Sequence, residues 1–434
     1  MNSTATPHVI SQSEHAIARE DISKNALKVL DRLHEAGFES YLVGGGVRDL
    51  LLGRKPKDFD VSTNASPEEV KEQFKNCRII GRRFRLAHVV FGGDIIEVAT
   101  FRAAHSEGEG GVTGDSGRLV RDNVYGGTVA DDAARRDFTV NALYYNIADG
   151  SVLDFYNGVG DLHNGELKFI GEAQARVVED PVRALRAARF AAKLDFSVAS
   201  ELVTAIGMYH HKLADIPPAR MFDEVLKLLQ SGHGVASFKW LLELDLLQYL
   251  FPAADARLKK GDETAQQIIQ LALQNTDNRI RNDLAVTPAF IYAVFLWPDV
   301  AEVAQEFESS GHPPVQALHM AADEIVPVQL KRTSLPRRFS VPMREIWTLQ
   351  PRFNRTHGKR VKLLIGNPRF RAGYDFLCLR AQIGEVEQSL CDTWEKLQQT
   401  PEAQAAIEAS RQRSRPPRRA RSKPRRRGGN RKPD

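Results

Sequence analysis

The chain of 434 residues has little cysteine and no long apolar run. Cys77, Cys378 and Cys391 lie far apart, which predicts neither a zinc knuckle nor a disulfide framework and indicates a reduced cytoplasmic protein. The longest apolar run, residues 289–297, lies between two prolines and is too short to span a bilayer. Residues 1–13 are polar and lack the apolar run of a signal peptide. We therefore expect a soluble, cytoplasmic chain that makes no membrane contact.

The modest net charge conceals an uneven distribution. Residues 411–434 contain twelve Lys or Arg and one acid, a balance of +11, so residues 1–410 carry −6 of the total of +5. This tail has almost nothing apolar to bury, which predicts a disordered segment. Arginine-rich segments contact the phosphate backbone of nucleic acids, and a purely solubilising tail is the alternative.

One stretch of the chain combines glycines, a short helix and two aspartates. Gly44 and Gly45 follow an apolar strand, Arg48 lies in the helix, and Asp58 and Asp60 lie on the next predicted strand. Glycines allow backbone N–H groups to approach a polyphosphate, and a helix N-terminus favours anionic charge. Residues two apart in a strand share one face, so we expect the two carboxylates to project together, where Mg²⁺ bridging to substrate phosphates would neutralise them.

Each part of this stretch has an ordinary explanation when it stands alone. A glycine run is more often a turn, and an Asp-x-Asp pair is more often a solvated edge. Together, joined by one short helix, they resemble the nucleotidyltransferase superfamily of the polymerase β type. The Arg48-Asp49 pair and the leucines that follow it are similar to the class II branch, which holds bacterial poly(A) polymerases and CCA-adding enzymes.

The resemblance implies an α+β fold, with a small α/β nucleotidyltransferase head followed by an all-helical RNA-binding region. It implies ATP as a substrate and two Mg²⁺ ions, with Asp58 and Asp60 as metal ligands. It also implies a third carboxylate on a neighbouring strand, a position that Glu97 matches, although Glu97 alone would suit a solvent-facing edge. Asp137 is the other candidate for this third acid, and the choice between the two stays open.

Two further clusters carry charged side chains at close spacing. Asp132, Arg135 and Arg136 would share one face if they lie on a helical turn, where a salt-bridged surface is the simple explanation. The resemblance assigns them, with Asp137, to ribose and triphosphate contacts, for which arginine forks are suited. The second cluster begins a helix and consists of Asp180, Arg183 and Arg186.

Capping accounts for Asp180 in that second cluster but gives the two arginines no role. The resemblance implies that Asp180 and Arg183 read the incoming base by hydrogen bonds, so that the protein itself acts as the template.

The segment over residues 80–89 separates the two branches of the family. It resembles bacterial poly(A) polymerases, whereas CCA-adding enzymes usually carry a Gly-Thr-like turn there; a basic loop at any phosphate site is the alternative. We expect addition of AMP from ATP to RNA 3′ ends, promoting RNA turnover. A CCA-adding tRNA nucleotidyltransferase and a non-catalytic RNA-binding adaptor are the alternatives. The intact aspartate pair argues against the adaptor, and ATP turnover would decide that point.

The expected partners are RNA 3′ ends, with an RNA chaperone or the RNA-degradation machinery as further candidates, and we expect a monomer. A helix is predicted over residues 16–37, a helix start at Ser66-Pro67, and a mobile loop over 103–119. Basic stretches at 333–344 and 351–360 suggest a track for RNA. The predicted regions are a flexible N-terminus (1–25), a catalytic head (26–160), a helical neck (161–250), a helical RNA-binding body (251–410) and the disordered tail (411–434).

Overall fold

The computed structural model describes residues 6–81, 85–102, 112–113, 119–120 and 125–405. The chain divides into two compact units: Met1–Ile291 with Glu324–Pro336, and Tyr292–Asp323 with Arg337–Asp434. We call these unit 1 and unit 2. The predicted boundaries at 160 and 250 both lie inside unit 1 and stay predictions. In the part of the chain that the structure describes, none of the helices combines the length and the apolar composition of a transmembrane span.

Unit 1 is built on a mixed sheet of eight strands. Its strand order is β1-β10-β9-β2-β3-β6-β5-β4, and only β3 and β6 pair in parallel. Two further pairs, β7 with β8 and β11 with β12, form small sheets of their own. The strands are β1 (His8–Ile10), β2 (Ser40–Val43), β3 (Asp60–Thr63), β4 (Cys77–Ile80), β5 (Leu86–Phe91), β6 (Asp94–Thr100), β7 (Val112–Thr113), β8 (Leu119–Val120), β9 (Leu143–Asn146), β10 (Val152–Asp154), β11 (Glu166–Leu167) and β12 (Ser197–Val198).

Helices cover the sheet and continue beyond it in unit 1. They are α1 (Lys24–Glu35), α2 (Gly45–Leu51), α3 (Pro67–Gln73), α4 (Val129–Ala134), α5 (Gly158–Asn164), α6 (Ala173–Glu179), α7 (Val182–Leu194), α8 (Ser200–Tyr209), α9 (Pro218–Leu229), α10 (Gly234–Glu243), α11 (Leu247–Leu250), α12 (Pro252–Lys259) and α13 (Glu263–Arg281). Short 3₁₀ helices lie at Gln12–Glu14, Arg19–Asp21, Thr139–Asn141 and His210–Asp215.

The first helix is shorter than the sequence predicted. The prediction of one helix over residues 16–37 is wrong, because Ser23 caps α1 through a 3.0 Å bond from the Ala26 backbone N–H, and a separate 3₁₀ turn precedes it. The N-terminus also differs from the flexible segment that we expected, since β1 pairs with β10 at the edge of the sheet. The predicted start at Ser66-Pro67 is confirmed by a capping box with Glu69.

Unit 2 is helical throughout its described residues. The helices α14 (Pro288–Ser309) and α15 (Pro314–Leu330) each begin in one unit and end in the other along the chain. Unit 2 continues with α16 (Arg337–Leu349), a 3₁₀ helix (Gln350–Asn354), α17 (Lys359–Ile365), α18 (Phe370–Gln382) and α19 (Gln388–Gln398).

A disulfide joins α18 to α19 through Cys378 and Cys391, whose Cα atoms are 5.5 Å apart. The sequence indicated a reduced protein without a disulfide framework, and this bridge contradicts the expectation for Cys378 and Cys391, whereas Cys77 is free. The two cysteines are separated by 13 positions in the sequence, and it is the packing of α18 against α19 that brings them together. Their spacing alone did not indicate that they pair. Most of the predicted mobile loop (103–119), residues 82–84 and the Arg-rich tail (411–434) lie outside the described residues.

Candidate active site at the end of strands β2, β3 and β6

The turn between β2 and α2 depends on glycine. Gly44 has φ +72° and ψ −131°, a conformation that L side chains rarely adopt. A Cβ atom built on Gly44 would lie 3.3 Å from Nη1 of Arg136. On Gly45 a Cβ would lie 3.5 Å from Nη2 of Arg48. The backbone here therefore runs directly against two arginine side chains.

The sheet register brings two of the predicted acids side by side. Asp60 is the first residue of β3 and pairs in parallel register with Glu97 of β6, while Val43 of β2 flanks Asp60 on its other side. Asp58 precedes β3 and is also exposed. The adjacent strands β3 and β6 thus carry Asp60 and Glu97, and Asp58 lies just before β3. The neighbouring strand β2 leads into the glycine turn beside them.

The acids act on each other electrostatically. Although the residue is exposed at the surface, its carboxylate is crowded by neighbouring groups, and the resulting loss of hydration raises the pKa of Asp60 to about 6. The negative charges of Glu97 and Asp58 raise it further, and Arg136 opposes them. Glu97 lies 3.4 Å from Nε2 of His88. Among the described residues, the neighbouring acids and the loss of hydration outweigh Arg136 at the Asp60 carboxylate.

Exposed, mutually repelling carboxylates are the donor chemistry that Mg²⁺ favours. Within the described ranges no three His, Cys, Asp or Glu side chains converge on one position suited to an ion. Mg²⁺ commonly takes only one or two protein carboxylates and completes its shell with water and substrate phosphates. Asp58, Asp60 and Glu97 fit such an open site, in which the protein provides part of the coordination.

A buried network stands behind the acids. Asp132 accepts bonds from Arg136 Nη2 at 3.0 Å and from the Tyr144 hydroxyl at 2.7 Å. Arg136 also donates to Tyr144 at 2.8 Å and to Ser62, two residues beyond Asp60, at 3.3 Å. Burial opposes the charge, but Tyr144 and Asp132 raise the pKa of Arg136, so it stays cationic. The two residues Asp132 and Arg136 form an i, i+4 salt bridge, the contact that the simple surface explanation of this cluster allowed.

Sequence reasoning missed Tyr144 and Ser62, because each is an ordinary strand residue whose role depends on the fold. Arg48, by contrast, was named but lies inside the protein. It is 2% exposed, donates to Asn141 Oδ1 at 2.7 Å and to Asp49 at 2.6 Å, and packs over the Phe190 ring. Its contacts tie α2 to the chain around Asn141, a position from which it supports the turn.

Asp137 lies in a different environment from Asp60. It is paired with Arg186 and accepts further bonds from the Phe138 backbone N–H at 2.9 Å and from Asn141 Nδ2 at 3.2 Å. Burial by itself would raise the pKa of Asp137, but Arg186 and these hydrogen bonds outweigh burial and lower the pKa. Its charge is thus satisfied by the protein, whereas that of Asp60 is not.

The predicted base-reading pair is also held by neighbours. Asp180 accepts two bonds from Arg220 Nη2, at 2.9 and 2.7 Å, and is 6% exposed. Arg183 donates to Glu179 Oε2 at 2.6 Å and to the Arg176 carbonyl at 2.9 Å. The two side chains lie at the start of α7, and their partners come from α6 and α9.

An open cavity of about 440 Å³ joins the two charged clusters. Its lining includes the predicted residues Arg135, Arg136, Asp137, Asp180, Arg183 and Arg186, together with four residues of α9, namely Arg220, Asp223, Glu224 and Lys227. The sequence placed these clusters more than 40 residues apart, and the fold unites them.

The α9 residues were missed as site residues because their helix reads as a bracing element. Glu224 is 4% exposed; one carboxylate oxygen accepts from Lys227 at 2.7 Å, and the other is buried without a hydrogen-bond partner among the described residues. A buried charged residue with an unsatisfied atom is the kind of signal that only coordinates provide.

Comparisons with known proteins agree with this arrangement. Residues 40–168 match the Poly A polymerase head domain, 195–258 match the probable RNA and SrmB-binding site of polymerase A, and 310–432 match the polymerase A arginine-rich C-terminus.

The similar proteins fall into two groups that match different shares of this chain. Poly(A) polymerase I of Salmonella typhimurium is 47% identical over 98% of this chain and 93% of its own length. A CCA-adding enzyme of Lactobacillus helveticus is 37% identical over only 52% of this chain and 55% of its own.

Among solved structures, the CCA-adding enzyme of Bacillus stearothermophilus in complex with CTP has a TM-score of 0.61 and 23% identity. It covers 88% of this chain and 82% of its own, which shows the shared fold. The expected α+β class, with a polymerase-β-type head and a helical region after it, is confirmed. The full-length identity decides between the two branches, and the chain belongs to the poly(A) polymerase family of nucleotidyltransferases.

Proposed function

We propose that the protein transfers AMP from ATP to RNA 3′ ends without a nucleic-acid template. The observation that carries this proposal is the juxtaposition of Asp60 and Glu97 in register, beside the Gly44 turn. Asp58, Asp60 and Glu97 would hold Mg²⁺, which when bound neutralises triphosphate charge and acidifies the attacking 3′ hydroxyl. Family membership and the domain named for RNA binding support the substrate class.

We assign the third carboxylate to Glu97 in preference to Asp137. Glu97 raises the pKa of Asp60 and is therefore close to it, whereas the charge of Asp137 is neutralised by Arg186. In this proposal Asp137 is a positioning residue: it orients Arg186 in the cavity.

Arg135 and Arg136 border the cavity and suit the triphosphate, since guanidinium forks match phosphate oxygens. Asp132 would fix the direction of Arg136 through their 3.0 Å pair. Because Gly44 and Gly45 have no side chains, the phosphates would be able to approach the backbone N–H groups of this turn closely. Arg48 would act through Asn141, without touching the nucleotide.

The base would be read by Asp180 and Arg183 in the same cavity. Asp180 is held by Arg220, and Arg183 is held by Glu179. Each of the two base-reading side chains therefore has one fixed orientation. Two side chains with fixed orientations suit the recognition of a single kind of base. A CCA-adding enzyme, by contrast, has to select cytosine and then adenine.

A polymerisation assay tests the proposal. With purified protein, Mg²⁺ and an unstructured RNA, ATP alone should give long homopolymeric extension, and CTP should be incorporated poorly. Protein carrying Asp58→Asn serves as the inactive control. Addition of two C and one A to a tRNA that lacks its 3′ end, followed by a stop, would replace the poly(A) proposal with the CCA alternative. Cytoplasmic location, a monomeric state and docking to an RNA chaperone or degradation complex stay predictions.

A further inference from the structure

Unit 2 contains a second open cavity, of about 490 Å³, that the proposed reaction does not use. It lies among the 3₁₀ helix Gln350–Asn354, α17 and the start of α15. Its lining combines three arginines, Arg352, Arg355 and Arg360, with the apolar side chains of Pro314 and Leu363.

The stretch of sequence that supplies most of this cavity is rich in positive charge. Residues 350–374 contain seven Lys or Arg and no Asp or Glu. Neighbouring arginines of unit 2 do have acidic partners: Arg369 pairs with Glu345, and Arg371 pairs with Asp375. For the three cavity arginines, which are all exposed, no ion pair exists within the described ranges. Concentrated charge of one sign costs free energy through self-repulsion and attracts an anionic partner.

The apolar part of the cavity is also exposed. Leu363 on α17 is 75% exposed, although its neighbour Leu364 is buried in the core of unit 2. An exposed leucine beside arginines offers an apolar contact and phosphate-binding groups within one concave surface. A flat basic surface would bind phosphates but would have no place for a base.

We propose that this cavity binds an unpaired nucleotide of RNA, with the base against Pro314 and Leu363 and the phosphates on Arg352, Arg355 and Arg360. Guanidinium groups bind phosphate oxygens in pairs and also stack on bases. The base has to be unpaired, because a base within a duplex is stacked and inaccessible to a pocket. This inference rests on the proposed function for the presence of RNA, and it adds a binding site in unit 2 for the RNA that is extended.

Binding measurements without any nucleotide triphosphate test the inference. The probes are a fluorescent, unstructured single-stranded RNA and a blunt RNA duplex of the same length. Arg355→Gln and Arg360→Gln should each weaken single-strand binding roughly 3- to 10-fold and lower the slope of log K against log salt by about 0.7. Leu363→Ser should weaken single-strand binding and leave that slope unchanged, because it removes no charge. Each variant should bind the duplex almost as the unmodified protein does.

Arg371→Gln is the matched control, since it makes the same change in charge in unit 2 at a residue that is paired with Asp375 and outside the cavity lining. It should leave single-strand affinity nearly unchanged. The substituted side chains are exposed, and circular dichroism checks that the variants fold.

Two results would overturn the inference. Unchanged RNA affinity in the cavity variants would exclude RNA and leave an acidic protein segment as the occupant. Equal losses for single strand and duplex would reduce the cavity to a general phosphate surface. Neither result bears on adenylate transfer, because ATP incorporation at saturating RNA is measured separately. A protein that binds RNA as expected and yet incorporates no ATP would refute the proposed function alone.

Discussion

At the scale of single residues, Asp60 is the most informative group in the protein. Its carboxylate lies beside Glu97 and near Asp58, and its pKa is raised to about 6. An acid whose folded-state pKa lies above its unfolded value destabilises the fold once it ionises. The stability of the fold is therefore unaffected by this group below pH 3.8, falls as the pH rises from 3.8 through about 6, and stays reduced above that. The protein keeps this unfavourable charge at the place where a cation would relieve it.

Asp60→Asn should separate the catalytic and stability roles of this carboxylate. We expect AMP transfer to fall on the order of 10²-fold or more, because a charged ligand of the reaction centre is lost. Metal-free variant protein should melt at a higher temperature than the unmodified protein at about pH 8, and the difference should vanish near pH 4, where both side chains are uncharged. Glu72→Gln, at an exposed position on α3, should change neither quantity. Near-normal turnover of the variant would remove Asp60 from the mechanism.

Binding of Mg²⁺ should itself depend on pH through Asp60. The protonated carboxyl is a poor ligand, so the rise in melting temperature that Mg²⁺ produces should be large at about pH 8 and small at about pH 5. Thermal unfolding with and without Mg²⁺ across this range measures it. The Asp60→Asn variant should show little rise at either pH, and an equal rise at both pH values in the unmodified protein would contradict the assignment.

At the scale of elements, the turn from β2 into α2 and the helix α9 do most to shape the site. The turn carries Gly44 in a conformation available almost only to glycine, directly against Arg136. The helix α9 places Arg220 on Asp180 and Glu224 in the cavity wall. The first element could be recognised from its glycines, whereas the second has no residue pattern that distinguishes it from a packing helix.

Gly44→Ala should damage both stability and activity. The backbone strain costs about 1–3 kcal/mol, and the new methyl group would press on Arg136, which the network with Asp132 holds in place. Denaturant unfolding and AMP transfer give the two readouts. Gly53→Ala is the control: it also has positive φ, at +65°, but a Cβ there would meet no atom within 4 Å. It should lose some stability and keep its turnover; equal losses of turnover in both variants would contradict the steric argument.

At the scale of the whole molecule, charge is separated along the chain. Residues 411–434 carry +11 while the rest of the protein carries −6. A segment with this density of positive charge attracts a polyanion such as RNA.

Deletion of residues 411–434 should weaken RNA binding and flatten its dependence on salt, because fewer counterions are released. Turnover at saturating RNA should change little, since the acids and the cavity of unit 1 remain intact. Fluorescence anisotropy over a salt series measures both affinity and slope. A variant in which the Lys and Arg of the tail are replaced by Gln controls for the loss of length. If the deletion changes neither affinity nor slope, the tail only solubilises or binds another partner.

Local sequence determined the parts of this protein that depend on neighbours in the chain. The glycine turn, the Ser66-Pro67 helix start and the alternation around Asp60 follow from backbone preference, capping and strand periodicity. These features, with the motifs at Asp132 and Asp180, were enough to indicate the family.

Only the tertiary structure decided which distant groups meet. Parallel pairing of β3 with β6 placed Glu97 beside Asp60, and the fold placed Asp137 in an ion pair with Arg186. The same holds for the clamp of Arg220 on Asp180 and for the disulfide between α18 and α19. Strand register, burial and ion pairing arise from contacts between segments far apart in the chain, and local propensity carries no information about them.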